Sequence, residues 1–171
     1  MPTIRLVAQI QRSPTPVVLP AGGTLNIPVV QYRCLIRLPN YVLPQDAVID
    51  TGAPLVYFPK KIWDGLRDGT DFEWLPFASG VNPSQARIAR WQFTYRFARL
   101  LALVGVMDYT TEVDRPEVIA AFADSDPPSP ATRKSPAPII VGLWGGVLEG
   151  GRIAVGRDPV SGHVTGAIEF P

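Results

Sequence analysis

The sequence predicts a mostly-β domain with one short helix, and three observations carry that reading. Nineteen prolines and fifteen glycines punctuate the 171 residues at short intervals, with runs of Val, Ile, Leu and aromatics between them. That is the pattern of many short strands joined by tight turns. Around residue 94 the chain alternates with a period of two. Trp91, Phe93, Tyr95 and Phe97 point one way, and Gln92, Thr94, Arg96 and Ala98 the other, as in a strand with a core face and a solvated face. At 46% hydrophobic and 18% charged residues, the chain has enough apolar material for one well-buried core, which excludes general disorder.

In order, the expected strands are Ile4–Gln9, Leu25–Val30, Tyr32–Leu38, Asp46–Asp50, Leu55–Phe58, Gln92–Leu103, Val118–Phe122, Ile139–Gly142, Arg152–Val155 and Val164–Phe170. The helix is placed at Lys60–Leu66, because Pro59 sets its start, Ile62, Trp63 and Leu66 share a face, and Gly69 follows. Five prolines and no apolar run make Ser125 to Pro138 an exposed loop within a single domain over residues 1–171. Cys34 reads as a small buried hydrophobe and His163 as a hairpin-loop residue. Trp63, Trp74 and Trp144 read as core or interface anchors.

Charge and cysteine usage exclude several classes of function. A net charge of +1 lacks the one-signed field that a nucleic-acid coat or polybasic membrane anchor requires. One cysteine allows no intrachain disulfide, and one cysteine with one histidine cannot build a Cys/His zinc site, so no metal or cofactor is expected. The most apolar stretch, Leu100 to Met107, is far shorter than the roughly 20 residues of a spanning helix. A cytoplasmic protein without membrane or nucleic-acid partners is the expectation. The run Trp74 to Met107 carries Arg87, Arg90, Arg96 and Arg99 and no acid, whereas Asp108 to Asp126 carries six acids and only Arg115. Neighbouring strands with complementary surface charge explain that asymmetry. The glycines from Gly142 to Gly156 lack the Lys-Ser/Thr of a phosphate-binding loop and read as turns.

Chemistry concentrates in Ala47-Val-Ile-Asp-Thr-Gly-Ala-Pro-Leu-Val-Tyr-Phe-Pro59. An apolar strand delivers a carboxylate, Asp50, to the edge of the core, where partial desolvation is expected. Gly52 allows close backbone approach, so main-chain N–H groups can bond that carboxylate. Thr51 can hydrogen-bond inward or across an interface. The plain alternative is an Asp-Thr-Gly turn with a capping role only.

This stretch resembles the catalytic loop of the retropepsin-like, single-lobed branch of the pepsin superfamily of aspartic proteases. Asp50, Thr51, Gly52 and Ala53 match its Asp-Thr-Gly-Ala element, and Ile140, Val141 and Gly142 match the late hydrophobic-hydrophobic-Gly element that packs beside the loop. The resemblance spans residues 25 to 157 in order of elements and is specific over Ala47–Pro59. It implies a closed, barrel-like β lobe, with Asp50, Thr51 and Gly52 catalytic and Ala53 and Pro54 in contact with a peptide or protein substrate. It also implies a flap over the cleft. No glycine occurs between Val81 and Val104, so the tip falls at Ser79-Gly80-Val81 or, preferred here, at Arg90 and Trp91, as further substrate-binding residues. Family members often continue into a helix after the late element; Gly145-Gly146 and Gly150-Gly151 suggest a single turn or none.

Aspartic-protease chemistry needs two carboxylates sharing a proton, and the sequence holds one Asp-Thr-Gly. The implied enzyme is therefore a symmetric homodimer, with Asp50 meeting its mate on a two-fold axis. Ala53 offers no hydroxyl to the pair, which points to activity at weakly acidic to near-neutral pH. The alternative from another class is a catalytically silent, protease-like binding or scaffold domain.

Overall fold

A computed structural model describes residues 1–12, 16–25, 28–67, 71–75, 80–83, 92–101, 104–123 and 138–171. The strands are β1 (Thr3–Arg12), β2 (Val17–Val18), β3 (Thr24–Leu25), β4 (Pro28–Arg37), β5 (Gln45–Ile49), β6 (Val56–Phe58), β7 (Phe72–Trp74) and β8 (Gly80–Pro83). They continue as β9 (Gln92–Leu100), β10 (Val104–Met107), β11 (Glu112–Arg115), β12 (Val118–Ala123), β13 (Ile139–Val141), β14 (Arg152–Arg157) and β15 (Val164–Glu169). The helix α1 (Lys60–Leu66) has the expected bounds, with Ile62 and Leu66 buried and Trp63 packed on the core. Gly69 lies outside the described residues, as does all of the Pro-rich segment except exposed Pro138.

Mostly-β is the architecture found, but the expected closed barrel is corrected. Among the described residues one large sheet runs β14-β15-β1-β4-β5-β13-β6-β12-β9-β7, an open path with β14 and β7 at its two ends. Among the described residues no sheet closes on itself, because the two end strands do not pair with each other. The expected break between Leu25–Val30 and Tyr32–Leu38 is also replaced, by the single long β4. Five further strands, β2, β7, β8, β10 and β11, occupy residues to which no strand was assigned.

The core lies on one face of the sheet. Cys34, Ala47, Ile139, Val141, Val56, Phe58, Ala120, Phe122, Ala98 and Leu100 are buried along successive paired strands. Trp63 of α1 covers this face, 4.2 Å from the Phe122 ring and 5.1 Å from Trp74 between centroids. The buried positions of β9 are Ala98 and Leu100, in the phase of Arg96; half-buried Phe97 belongs to the aromatic phase that alternation assigned to the core. The reason is steric: Trp74 stands opposite Ala98 and Phe122 opposite Arg96, so large rings from neighbouring strands already fill that layer. Arg96 then closes the cluster, its guanidinium 3.7 Å over the Trp74 ring. The charge asymmetry resolves partly as expected. Arg99 pairs with Glu117 at 3.1 Å and Glu73 at 3.8 Å, whereas Glu112 and Asp114 pair with Arg37 of β4.

The sheet forks at β1. Residues Thr3 to Leu6 pair with β15 and Val7 to Arg12 with β4, while β10 takes over the same edge of β4 from Leu35 to Arg37. Asp108 closes the gap. Its Oδ2 accepts a hydrogen bond from the Arg5 backbone N–H at 2.7 Å, and its Oδ1 accepts from the N–H groups of Thr110 and Thr111 and the Thr110 hydroxyl. Asp108 is the buried charged residue among those described. Burial pushes its carboxyl up, but the donated bonds outweigh that and bring it down to about 2. Because the folded value lies below the unfolded one, the stabilisation is complete above about pH 4 and is lost as pH falls toward about 2. Asp108→Ala is expected to lower the unfolding free energy by about 2–3 kcal/mol in urea titrations at neutral pH, and to flatten the dependence of stability on pH in that acid window.

Candidate active site

The Asp50 turn is built by an inserted strand. Successive strands β5 and β6 do not pair with each other. The later β13 lies between them, parallel to β5 (Ile139 opposite Ala47, Val141 opposite Ile49) and antiparallel to β6 (Ile140 opposite Tyr57). The intervening residues, Asp50 to Leu55, must therefore loop over the end of β13, and main-chain bonds fix that loop. The Asp50 N–H donates to the Val141 carbonyl at 3.0 Å, the Gly142 N–H to Leu55 at 3.1 Å, the Leu143 N–H to Ala53 at 3.1 Å and the Trp144 N–H to Pro54 at 2.9 Å. Within the loop, the Ala53 N–H donates to the Asp50 carbonyl at 3.1 Å, closing a turn. The Gly52 N–H donates to Asp50 Oδ1 at 2.9 Å, which orients the carboxylate.

The structure brings together eight of the ten residues singled out in the sequence: Asp50, Thr51, Gly52, Ala53, Pro54, Ile140, Val141 and Gly142. Arg90 and Trp91 lie outside the described residues, as does Ser79, while Gly80 and Val81 begin β8. Gly142 is buried in close contact: a Cβ there would stand 2.4 Å from the Ala53 oxygen and 2.5 Å from that of Leu55. Gly52 differs. A Cβ on it would meet only Asp50 Oδ1, at 3.2 Å, so the chain's own packing leaves that position open. The expected partial desolvation of Asp50 is not met within one chain. Asp50, Thr51, Gly52 and Pro54 are exposed, because β5 ends at Ile49 and the turn projects beyond the sheet.

After Gly142 no helix forms; residues 143–150 follow a path of bends and turns. Gly145 and Gly146 have φ of 93° and 92°, and a Cβ at either would lie within 2.5 Å of the Ile119 or Glu117 carbonyl oxygen. Glycine is thus required at both. The Ile119 N–H donates to Gly145, and Arg115 donates to the carbonyls of Val147 and Glu149. Trp144, assigned to the core or an interface on sequence grounds, is not a core residue: it is 72% exposed, with Leu143 beside it at 43%. Its place next to Gly142 was the available signal that it belongs to the surroundings of the Asp50 turn.

Other chemistry is poorly served. Burial, reinforced by the negative Asp46, pushes the Cys34 thiol up to about 12, so it remains protonated and is no nucleophile. A cavity of about 270 Å³ lies at the β1 fork, lined by Arg5, Leu6, Arg33, Cys34, Met107 and Asp108 among others, and by none of residues 50 to 54. No group of three or more His, Cys, Asp or Glu side chains is placed to hold a metal ion among the described residues. No helix among them is long and apolar enough to cross a membrane. No protein-family model, curated protein or solved structure matches this chain.

The loop's dependence on Gly142 gives a direct contrast. Gly142→Ala must push the Ala53 and Leu55 carbonyls away and is expected to cost about 1–3 kcal/mol of unfolding free energy. Gly52→Ala is expected to cost less than about 1 kcal/mol. Equal losses in the two variants, measured by chemical denaturation, would contradict this account of the loop.

Proposed function

We propose that the chain is an aspartic endopeptidase acting as a symmetric homodimer, with Asp50 of each copy forming one half of a catalytic dyad. The observation that carries the reading is the Asp50 carboxylate itself. It is held by the Gly52 N–H on a loop stretched over β13, yet exposed and turned away from its own core. A rigid mount with an uncovered acid is what a shared site needs, since the group must be positioned before its partner arrives. The open space at Gly52 supports it as well, because a second turn or a substrate backbone can approach there without a side chain in the way.

In the dyad two carboxylates at close range cannot both ionise, so they share one proton. The ionised member takes a proton from water as that water attacks the peptide carbonyl, and the protonated member hydrogen-bonds the carbonyl oxygen. Their titration belongs to the pair. Thr51 and Gly52 shape the loop, and Ala53 and Pro54 border the bound peptide. Substrate lies extended with its main chain hydrogen-bonded, and Arg90 and Trp91 are assigned to its closure. Metal and organic cofactors have no part in this scheme.

A second reading, a silent binding or scaffold domain, is favoured by the hydrogen bond from Gly52 to Asp50, which a purely structural turn would also make. Asp50→Asn separates the two. An asparagine oxygen can still accept from Gly52, so the fold is expected to hold within about 0.5 kcal/mol. Cleavage of an unstructured protein at about pH 4 to 7 is expected to fall at least about 1,000-fold. Unchanged cleavage in Asp50→Asn removes Asp50 from the reaction, and a wild-type optimum near about pH 2 removes the role given to Ala53.

A further inference from the structure

The segment that follows β13 mounts two large apolar side chains, both exposed, on a stretch bonded to the Asp50 turn, and among the described residues none buries them. Trp144 and Leu143 are held there by their own backbone N–H groups, bonded to Pro54 and Ala53. The residues that follow are fixed by the positive-φ glycines and by Arg115. Exposure of Trp144 is thus imposed by a rigid frame. Some other exposed apolar residues are placed differently: Val42 and Leu43 lie in the β4–β5 connection, at the opposite end of β5 from Asp50, and Val160 sits in the β14–β15 turn, whereas exposed Val7 and Ile10 of β1 are in register with the Asp50 end of β5, two strands away.

Geometry then restricts what can cover this patch. The closed turn keeps Ala53 within about 7 Å of Asp50, and one hydrogen bond from Ala53 reaches Leu143, which places Leu143 within about 14 Å of Asp50. A standard interface of about 800 Å² per partner is a disc of roughly 16 Å radius. An interface of that size centred on the Asp50 turn has room to take in Leu143 and its neighbour Trp144. A lone acid cannot complete the proposed site, so the occupant the site needs is a second copy of this chain.

We infer that Trp144, with Leu143 beside it, is the apolar anchor of the homodimer that assembles the Asp50 dyad. This rests on the endopeptidase reading for its choice of partner and adds the contact that holds the copies together. Tryptophan combines large area with few rotatable bonds, which suits it to dominate a small interface. The polar exposed turn residues, Thr51 and Gly52, then lie at the axis, with the apolar pair flanking them.

The test is the dimer dissociation constant from sedimentation equilibrium, measured for wild type, Trp144→Ala and Trp144→Phe, with cleavage followed as a function of chain concentration. Because the side chain is exposed, neither variant is expected to change the unfolding midpoint at chain concentrations below the dissociation constants, where every variant is monomeric. Trp144→Ala is expected to raise the dissociation constant about 30-fold or more, Trp144→Phe by less, and cleavage by Trp144→Ala to recover as chain concentration rises. A Trp144→Ala dissociation constant equal to wild type overturns the inference, and so does a raised KM with unchanged dimerisation, which would assign Trp144 to substrate. A wild-type chain that remains monomeric overturns it together with the two-chain site. A Trp144-dependent dimer that cleaves nothing sinks the endopeptidase reading and leaves this contact standing.

Discussion

The arrangement around Asp50 depends on one strand being where chain order would not put it. Strands β5 and β6 are consecutive, and without an intruder they would form a hairpin with Asp50 to Leu55 as its loop. With β13 between them, the loop must bridge two strand spacings, about 10 Å, and it rests on the end of the inserted strand. Four main-chain hydrogen bonds join loop to support, from Asp50, Gly142, Leu143 and Trp144. Backbone pairing does not depend on side-chain rotamers, so the carboxylate's position is set by the ladder rather than by packing. The same insertion explains why Gly142 resists substitution: it packs against the Ala53 and Leu55 carbonyls with no room for a methyl group.

A second constraint acts at the fork of β1, across β4 from β5. At the fork of β1 the backbone N–H of Arg5 would lose a ladder partner in a buried setting, a costly vacancy. Asp108 fills it with a carboxylate oxygen and uses the other oxygen to tie the β10–β11 turn. One side chain thus substitutes for a missing strand. Its low pKa is the signature of that structural work, and its burial and its partners, Arg5, Thr110 and Thr111, separate the acid that holds the sheet from the exposed acid assigned to chemistry.

Much of this was legible in the sequence. The strand, turn, strand and helix around Asp50 follow from three apolar residues, an Asp-Thr-Gly, a short apolar run and Pro59, and α1 has the expected ends. The link between Ile140-Val141-Gly142 and the turn came from resemblance; no local pattern reveals that a strand will insert between two others. What stayed hidden has physical causes. Strand β11, Glu-Val-Asp-Arg, pairs with β10 alone and alternates charge with half-burial, so it lacks an apolar signature. The core phase of β9 was set by rings on β7 and β12, which alternation within β9 cannot report. Trp144 was assigned by residue type to the core or an interface, and the fold removes the first of these, because the glycines after it turn the chain along the surface. Asp108 carried a usable signal, an acid followed by two threonines at a turn, although its bond to Arg5 is long-range.

In the proposed dimer the exposed acid and the exposed tryptophan are completed by the same partner. A second chain placed on a two-fold axis through the Asp50 turns would supply the missing carboxylate and cover the apolar surface together. The most direct measurement is a crystal structure of the assembled protein, read for the separation between the two Asp50 carboxylates. The account predicts oxygens within hydrogen-bond distance, about 3 Å, across the axis. Asp50 side chains far apart in every assembly the crystal contains, each facing solvent with no groove between them, would contradict it.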